Sequence, residues 1–389
     1  MKSYIVLKGS KNPVASRIAK YLITPILIAL TIVVSVQNRL QADTVCDDQE
    51  KVCAWKKRIV GIKTPTMVAS GFLLDDGTLI TNKHVAEDHP VVKVKLPSGQ
   101  ITTAKPSPND HPADLAILVI PSYTPIFSQQ IKIHQGNIQK LRVIAFDQGR
   151  NGTRIYPVST YAIYPDSKKY PQARIHSDVF ALPGNSGGAV VNELGELVGI
   201  LASGDGNINE IIPAKHISAV QNSSDDLKRE DFVAQGRAIR TCADLLHDSN
   251  RIAKNPPASL VSELKTECLQ SKNKQLFDQA GQLFGKWWMF LLSEMFLTES
   301  LKLDPNSPNT LMSLAVAYHL NRDYIKEKPL LEKYLELNPS DPQALRLSVQ
   351  VAGLLKDEAL AEKSLELMRE HNPNALEFAQ EFLNSSFDN

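Results

Sequence analysis

The chain has 389 residues, room for two or three domains, and its Lys+Arg total of 43 nearly cancels its Asp+Glu total of 42. That balance gives no support to nucleic-acid binding, and 6% aromatics with ordinary glycine and proline content exclude general disorder. Four cysteines and nine histidines do not cluster as a zinc site would require.

The N-terminus is cationic: Lys2, Lys8, Lys11, Arg17 and Lys20 precede any acidic residue, and residues 21–36 carry no charge. A cationic start followed by an apolar stretch is an export pattern. Sixteen helical residues span about 24 Å, a little short of a bilayer core of about 30 Å. Residues 1–42 are therefore expected to be a membrane anchor through 21–36, with a cleaved signal peptide ending near Leu40-Gln41-Ala42 as the alternative. The positive charges would stay inside and the remainder would face the periplasm. All four cysteines follow this segment, and an even count in an exported chain predicts disulfides. Cys46 with Cys53 would close a small loop. Cys242 and Cys268 flank Pro256-Pro257 at matching distances, nearly level if those prolines break a helical hairpin.

Three segments between residues 54 and 222 carry chemistry. Ser70–Ile80 has two short apolar stretches around Asp75-Asp76-Gly77, a hairpin signature, and His84 lies just past its second strand. Asp114 opens the apolar run Leu115–Val119. Residues 183–188 read Pro-Gly-Asn-Ser-Gly-Gly ahead of another apolar run, Ala189–Val191. That turn leaves the Ser186 hydroxyl bare, and backbone N–H groups around Gly184, Asn185 and Ser186 can converge on one hollow, as an oxyanion requires. Separately these read as a structural histidine, a turn-capping aspartate and a glycine-rich turn. In the order His84, Asp114, Ser186 they read as base, orienting carboxylate and nucleophile.

"SGFLLDDGTLITNKHV", "DLAIL" and "PGNSGGAVVNELGELVGI" together resemble the trypsin-like serine peptidases, most closely the bacterial HtrA branch, over roughly residues 55–220. The resemblance implies an all-β chymotrypsin-like double barrel, cleavage of polypeptide substrates through an acyl-enzyme, and no cofactor. Asn185 replaces the aspartate that pairs with a freshly cut N-terminus in digestive members, so no zymogen cleavage is expected. Phe180, Ala181 and Leu182, with Ala202, Ser203 and Gly204, fall where that family lines its primary pocket. Their character implies small or medium apolar side chains before the scissile bond. Asp178 and Asp205 read as solvated loop residues.

Residues 223–271 are expected to be a helical linker. Beyond them, Leu303-Asp304-Pro305, Leu337-Asn338-Pro339 and His371-Asn372-Pro373 place prolines 34 residues apart, twice. That period, with Phe277, Ala280, Gly281 and Phe284 recurring as Leu311, Leu314, Ala315 and Tyr318, resembles tetratricopeptide repeats. An all-α repeat domain over 272–389 is expected, residues 374–385 forming a capping helix. Its groove would bind a protein partner, or its helices would brace the β domain. Trp287-Trp288 reads as packing between repeats, with an aromatic shelf for a bound peptide as the alternative.

Overall fold

A computed structural model describes Cys46 and residues 48–166, 169–204 and 208–388. The expected anchor or signal segment, residues 1–42, lies outside the described residues, as does Asp205. The chain divides into two compact units, residues 1–53 and 54–389. In the first, a helical turn α1 (Glu50–Cys53) carries Cys53, which is bridged to Cys46.

The second unit begins with a closed six-stranded antiparallel barrel. Its strands are β1 (Ile59–Lys63), β2 (Val68–Leu73), β3 (Leu79–Thr81), β4 (Val92–Lys95), β5 (Ile101–Ser107) and β6 (Ala116–Val119), in the order β1-β2-β3-β6-β5-β4. Alternation sets the register: Val92 and Val94 are buried while Lys93 points out. The hairpin read around Asp75-Asp76-Gly77 pairs Phe72 with Ile80 and Leu73 with Leu79. Val60, Ile62, Leu73, Leu79, Val94 and Leu118 fill the interior.

A seven-stranded antiparallel sheet follows, in the order β8-β7-β11-β12-β13-β10-β9. Its strands are β7 (Arg142–Asp147), β8 (Gly152–Val158), β9 (Ala162–Ile163), β10 (Ile175–Ser177), β11 (Ala189–Val191), β12 (Leu197–Gly204) and β13 (Asn209–Pro213). This corrects the expected second closed barrel. The edge strands β8 and β9 do not pair, but only residues 159–161 join them, so the sheet must curl to bring its edges to one corner. Ser70 stitches the sheets together. Its N–H donates to the Ser186 carbonyl at 2.8 Å, its hydroxyl donates to the Gly184 carbonyl at 2.8 Å, and it accepts from the Phe146 N–H at 2.9 Å.

Helices cover the rest of the chain. After α2 (Lys83–Ala86) in the barrel and α3 (His216–Asn222), α4 (Arg229–Ser249) and α5 (Ala258–Ser271) pair through a Cys242–Cys268 bridge. The segment read as a linker is docked: Phe232 of α4 enters the barrel core, and Arg240 grips Asp88 with two hydrogen bonds of 2.8 and 2.9 Å. Three helix pairs follow: α6 (Lys274–Lys286) with α7 (Phe290–Leu303), α8 (Pro308–Leu320) with α9 (Tyr324–Leu337), and α10 (Pro342–Leu355) with α11 (Glu358–His371). Each pair begins 34 residues after the last. Asn273, Ser307 and Asp341 cap the first helix of each pair by accepting hydrogen bonds from its opening N–H groups, and proline stands at the first turn of α8 and α10. Helices within a pair approach closely: a Cβ at Gly281 would meet Leu297 at 2.5 Å. A last helix, α12 (Leu376–Asp388), packs Ala379 and Leu383 into the same core.

The tryptophan pair divides. Trp287 is buried edge-on against Phe284 and donates its indole N–H to the Ile252 carbonyl at 2.9 Å. Trp288, at φ 63°, swings out to 56% exposure and lines a groove of about 770 Å³, correcting the packing role expected for it.

Candidate active site

His84 sits on the single-turn helix α2, three residues beyond β3. Asp114 lies two residues before β6, and β3 pairs directly with β6, so the two side chains meet at one end of adjacent strands. The Asp114 carboxylate holds the histidine twice. Oδ1 accepts the His84 backbone N–H at 2.9 Å, and Oδ2 is 2.6 Å from Nδ1. Asp114 is 8% exposed. Burial works to raise its pKa, but His84 and its hydrogen bonds, followed by Arg174, outweigh that and hold the carboxyl below the ordinary aspartate range. The arrangement fixes a proton on Nδ1 and leaves Nε2 as the basic nitrogen.

Ser186 arrives from the other sheet, on the turn before β11. Gly187 shapes that turn. It has φ +87°, and a Cβ there would lie 2.1 Å from the Ser70 carbonyl, so no other residue fits. The Ser186 hydroxyl donates to the Ala202 carbonyl at 2.9 Å, and among the described residues no Ser186–His84 hydrogen bond is present. The backbone N–H groups of Gly184 and Ser186 donate to no group among the described residues, which suits a pair of oxyanion donors. Asn185 does not join them. Its N–H donates to the Leu182 carbonyl at 3.0 Å. Its side chain is buried, donating to the Phe146 carbonyl and Tyr156 hydroxyl and accepting from the Leu182 N–H at 2.8 Å. Asn185 therefore braces the loop from behind, a correction to its expected place in the hole.

Phe180 is 45% exposed and stacks on Tyr156, with centroids 5.5 Å apart; Leu182 is 39% exposed and Ala181 half-buried. Ala202 is buried, and β12 carries on through Ser203 and Gly204. Asp178 ties two loops together, its carboxylate accepting the Thr160 and Tyr161 N–H groups at 2.9 and 3.1 Å.

A group of buried charges beside Ser203 has no counterpart among the sequence motifs. Arg174 donates to Glu210 at 2.6 Å and to Ser203 at 3.1 Å, and its other terminal nitrogen lies 3.7 Å from Asp114 Oδ2. Lys274 of α6 donates to the second Glu210 oxygen at 2.6 Å. Near His84, Glu87 is 2% exposed. Its burial lifts its pKa to about 7, against the pull of His84 and Arg240.

Residues 69–200 match the family described as the trypsin-like peptidase domain. Serine endoprotease DegS of Escherichia coli K12 is 32% identical over 141 residues, 34% of this chain and 39% of that protein. DegS of Haemophilus influenzae is 30% identical over 179 residues, 44% of this chain and 52% of its own. Mitochondrial serine protease HTRA2 of Bos taurus is 29% identical over 151 residues, 36% of this chain and 32% of that one. The match thus spans between about a third and a half of the length of these relatives. Among solved structures, the Rv3671c protease in its inactive form aligns over 44% of this chain and 91% of that chain, at 19% identity and a TM-score of 0.37. Residues 69–200 are thus similar to the trypsin-like peptidase domain and to parts of the DegS and HTRA2 serine proteases.

Proposed function

We propose that the chain is a serine endopeptidase in which His84, Asp114 and Ser186 cut polypeptides through an acyl-enzyme. The observation that carries this reading is the 2.6 Å His84–Asp114 contact, built across paired strands of the barrel to which Ser70 ties the Ser186 turn. His84 Nε2 takes the Ser186 proton as Oγ attacks the scissile carbonyl, then delivers it to the leaving amine. Asp114 keeps the tautomer and stabilises the imidazolium. The Gly184 and Ser186 N–H groups receive the oxyanion, each worth about 3–4 kcal/mol of barrier. The exposed Phe180 and Leu182 favour apolar side chains before the scissile bond.

The Ser186–Ala202 hydrogen bond supports a resting form, in which the hydroxyl rotates toward His84 when substrate fills the cleft. The helix pairs are proposed as tetratricopeptide repeats whose groove recruits the polypeptide. Tyr161 and Ile208, in loops of the β domain, share that groove with Trp288, Met312 and Val316 of the helical region, which supports delivery of substrate toward the cleft. Export to the periplasm, with residues 21–36 as anchor or signal, fits the cationic N-terminus and a relative named as a probable periplasmic serine endoprotease in Chlamydia trachomatis. A fluorophosphonate probe applied to the full-length chain and to Ser186→Ala tests the reading. Labelling of the parent alone is expected; no labelling of folded parent would overturn it.

A further inference from the structure

The buried charges beside the cleft form one connected chain that begins at the triad and ends in the helices. Asp114 Oδ2 faces both His84 Nδ1 at 2.6 Å and Arg174 at 3.7 Å. Arg174 faces Glu210, Glu210 faces Lys274 through its other oxygen, and Lys274 also donates to Asp278 at 2.8 Å and Ser307 at 3.0 Å. Arg174, Glu210 and Lys274 are 3%, 3% and 1% exposed, so water screens none of them. The signs alternate at each step. The backbone beneath Arg174 is pinned from the helices as well: Asp304 Oδ2 accepts the Arg174 N–H at 3.1 Å and lies 2.8 Å from His176 Nε2.

An interface needing only adhesion is cheaper to build from apolar side chains than from ionised ones taken out of water. Here the charges lead to the carboxylate that orients the catalytic imidazole. A cation beside Asp114 weakens the field that the imidazolium feels, and the partners of that cation decide by how much. We propose that Arg174 is a positioning residue of the His84–Asp114 pair and that Lys274, supplied by the helical region, sets its balance through Glu210. The helices would then be part of the catalytic centre rather than an appendage to it.

The inference rests on the peptidase reading and predicts opposite signs for neighbouring substitutions. In Lys274→Met, Glu210 answers Arg174 alone, Asp114 acts as a fuller anion, and the imidazolium is stabilised. In Glu210→Gln, Arg174 is left uncompensated and the imidazolium is destabilised. Other charges around the imidazole are Lys83 and Glu87 on its own side, and Arg240 with its partner Asp88 where α4 packs against α2; neither variant touches them.

The test follows two readouts in the full-length chain: fluorophosphonate labelling of Ser186 against pH, and the His84 imidazole titration by NMR. Lys274→Met is expected to move the acidic limb and the imidazole pKa up by roughly one pH unit, and Glu210→Gln down by roughly one, each a tenfold change in protonation. Lys274→Arg, which keeps the charge, is expected to restore the parent values. Shifts of the same sign in both variants, or none, overturn the proposal. If Lys274→Met does not fold, the near-isosteric Glu210→Gln decides by the direction of its shift. A parent that is not labelled, yet whose imidazole pKa moves in the two variants as stated, would sink the peptidase reading and leave the charge coupling standing.

Discussion

Asp114→Asn is the sharpest perturbation of the triad, because it changes one atom's chemistry while keeping the side chain's shape. In the native site both carboxylate oxygens accept, one from the His84 backbone N–H at 2.9 Å and one at the imidazole Nδ1 at 2.6 Å. An amide has only one oxygen. If that oxygen stays on the backbone N–H, the new NH₂ faces Nδ1 and forces the proton onto Nε2, where it cannot accept from Ser186. If the amide flips, its NH₂ meets the backbone N–H and leaves two buried donors facing each other. The first arrangement removes the base without emptying the site; the second keeps Nε2 free only at the cost of that donor–donor clash, which disfavours it. The expected loss in kcat is about 10³- to 10⁴-fold, equivalent to about 4–5.5 kcal/mol of barrier. Turnover of a peptide substrate should fall by that factor with KM changed little, measured on protein of unaltered melting temperature. A loss below about tenfold would refute the assignment of Asp114 as the orienting carboxylate.

Three further outcomes follow from the packing. Glu87, its pKa raised from 4.5 to about 7 chiefly by burial, contributes stability that is complete below its unfolded value and is lost as pH rises through about 7. Glu87→Gln should remove that loss, gaining about 3 kcal/mol over the parent at about pH 8 but little at about pH 4, read by denaturant titration. Replacing Cys242 and Cys268 by serine frees a segment whose ends are 26 residues apart; by loop-closure entropy this should cost about 3.5 kcal/mol, seen as an earlier melting step for the helices. Trp288→Ala, in the groove and away from the triad, should lower kcat/KM for a polypeptide several-fold yet leave a tripeptide substrate unaffected; equal losses on both would remove the groove from substrate delivery.

Much of this was legible along the chain, because the chemistry is tied to local patterns. His84, Asp114 and Ser186 each sit beside a short apolar strand, and strand ends are where a β scaffold exposes side chains. The 34-residue proline period survives as helix pairs because each proline follows the second helix of its pair. What escaped was built from distant contacts. Arg174, Glu210 and Lys274 are isolated charges in sequence, where the default reading is a solvated surface; only folding brings Glu210 within 2.6 Å of a lysine 64 residues away. Trp288 escaped for a local reason, since its positive φ just past the end of α6 turns it away from its neighbour Trp287. Asn185 escaped because side-chain type says nothing of where its N–H points; that was fixed by the turn back to Leu182.

Ser186 is proposed above as the nucleophile of a working peptidase. The direct measurement is casein cleavage by the full-length chain beside Ser186→Ala, with folding of both checked by circular dichroism. Cleavage by the parent is expected, with loss of nearly all of it in the variant. Equal cleavage by both, or none by a folded parent even with a short peptide in place of casein, would contradict that assignment.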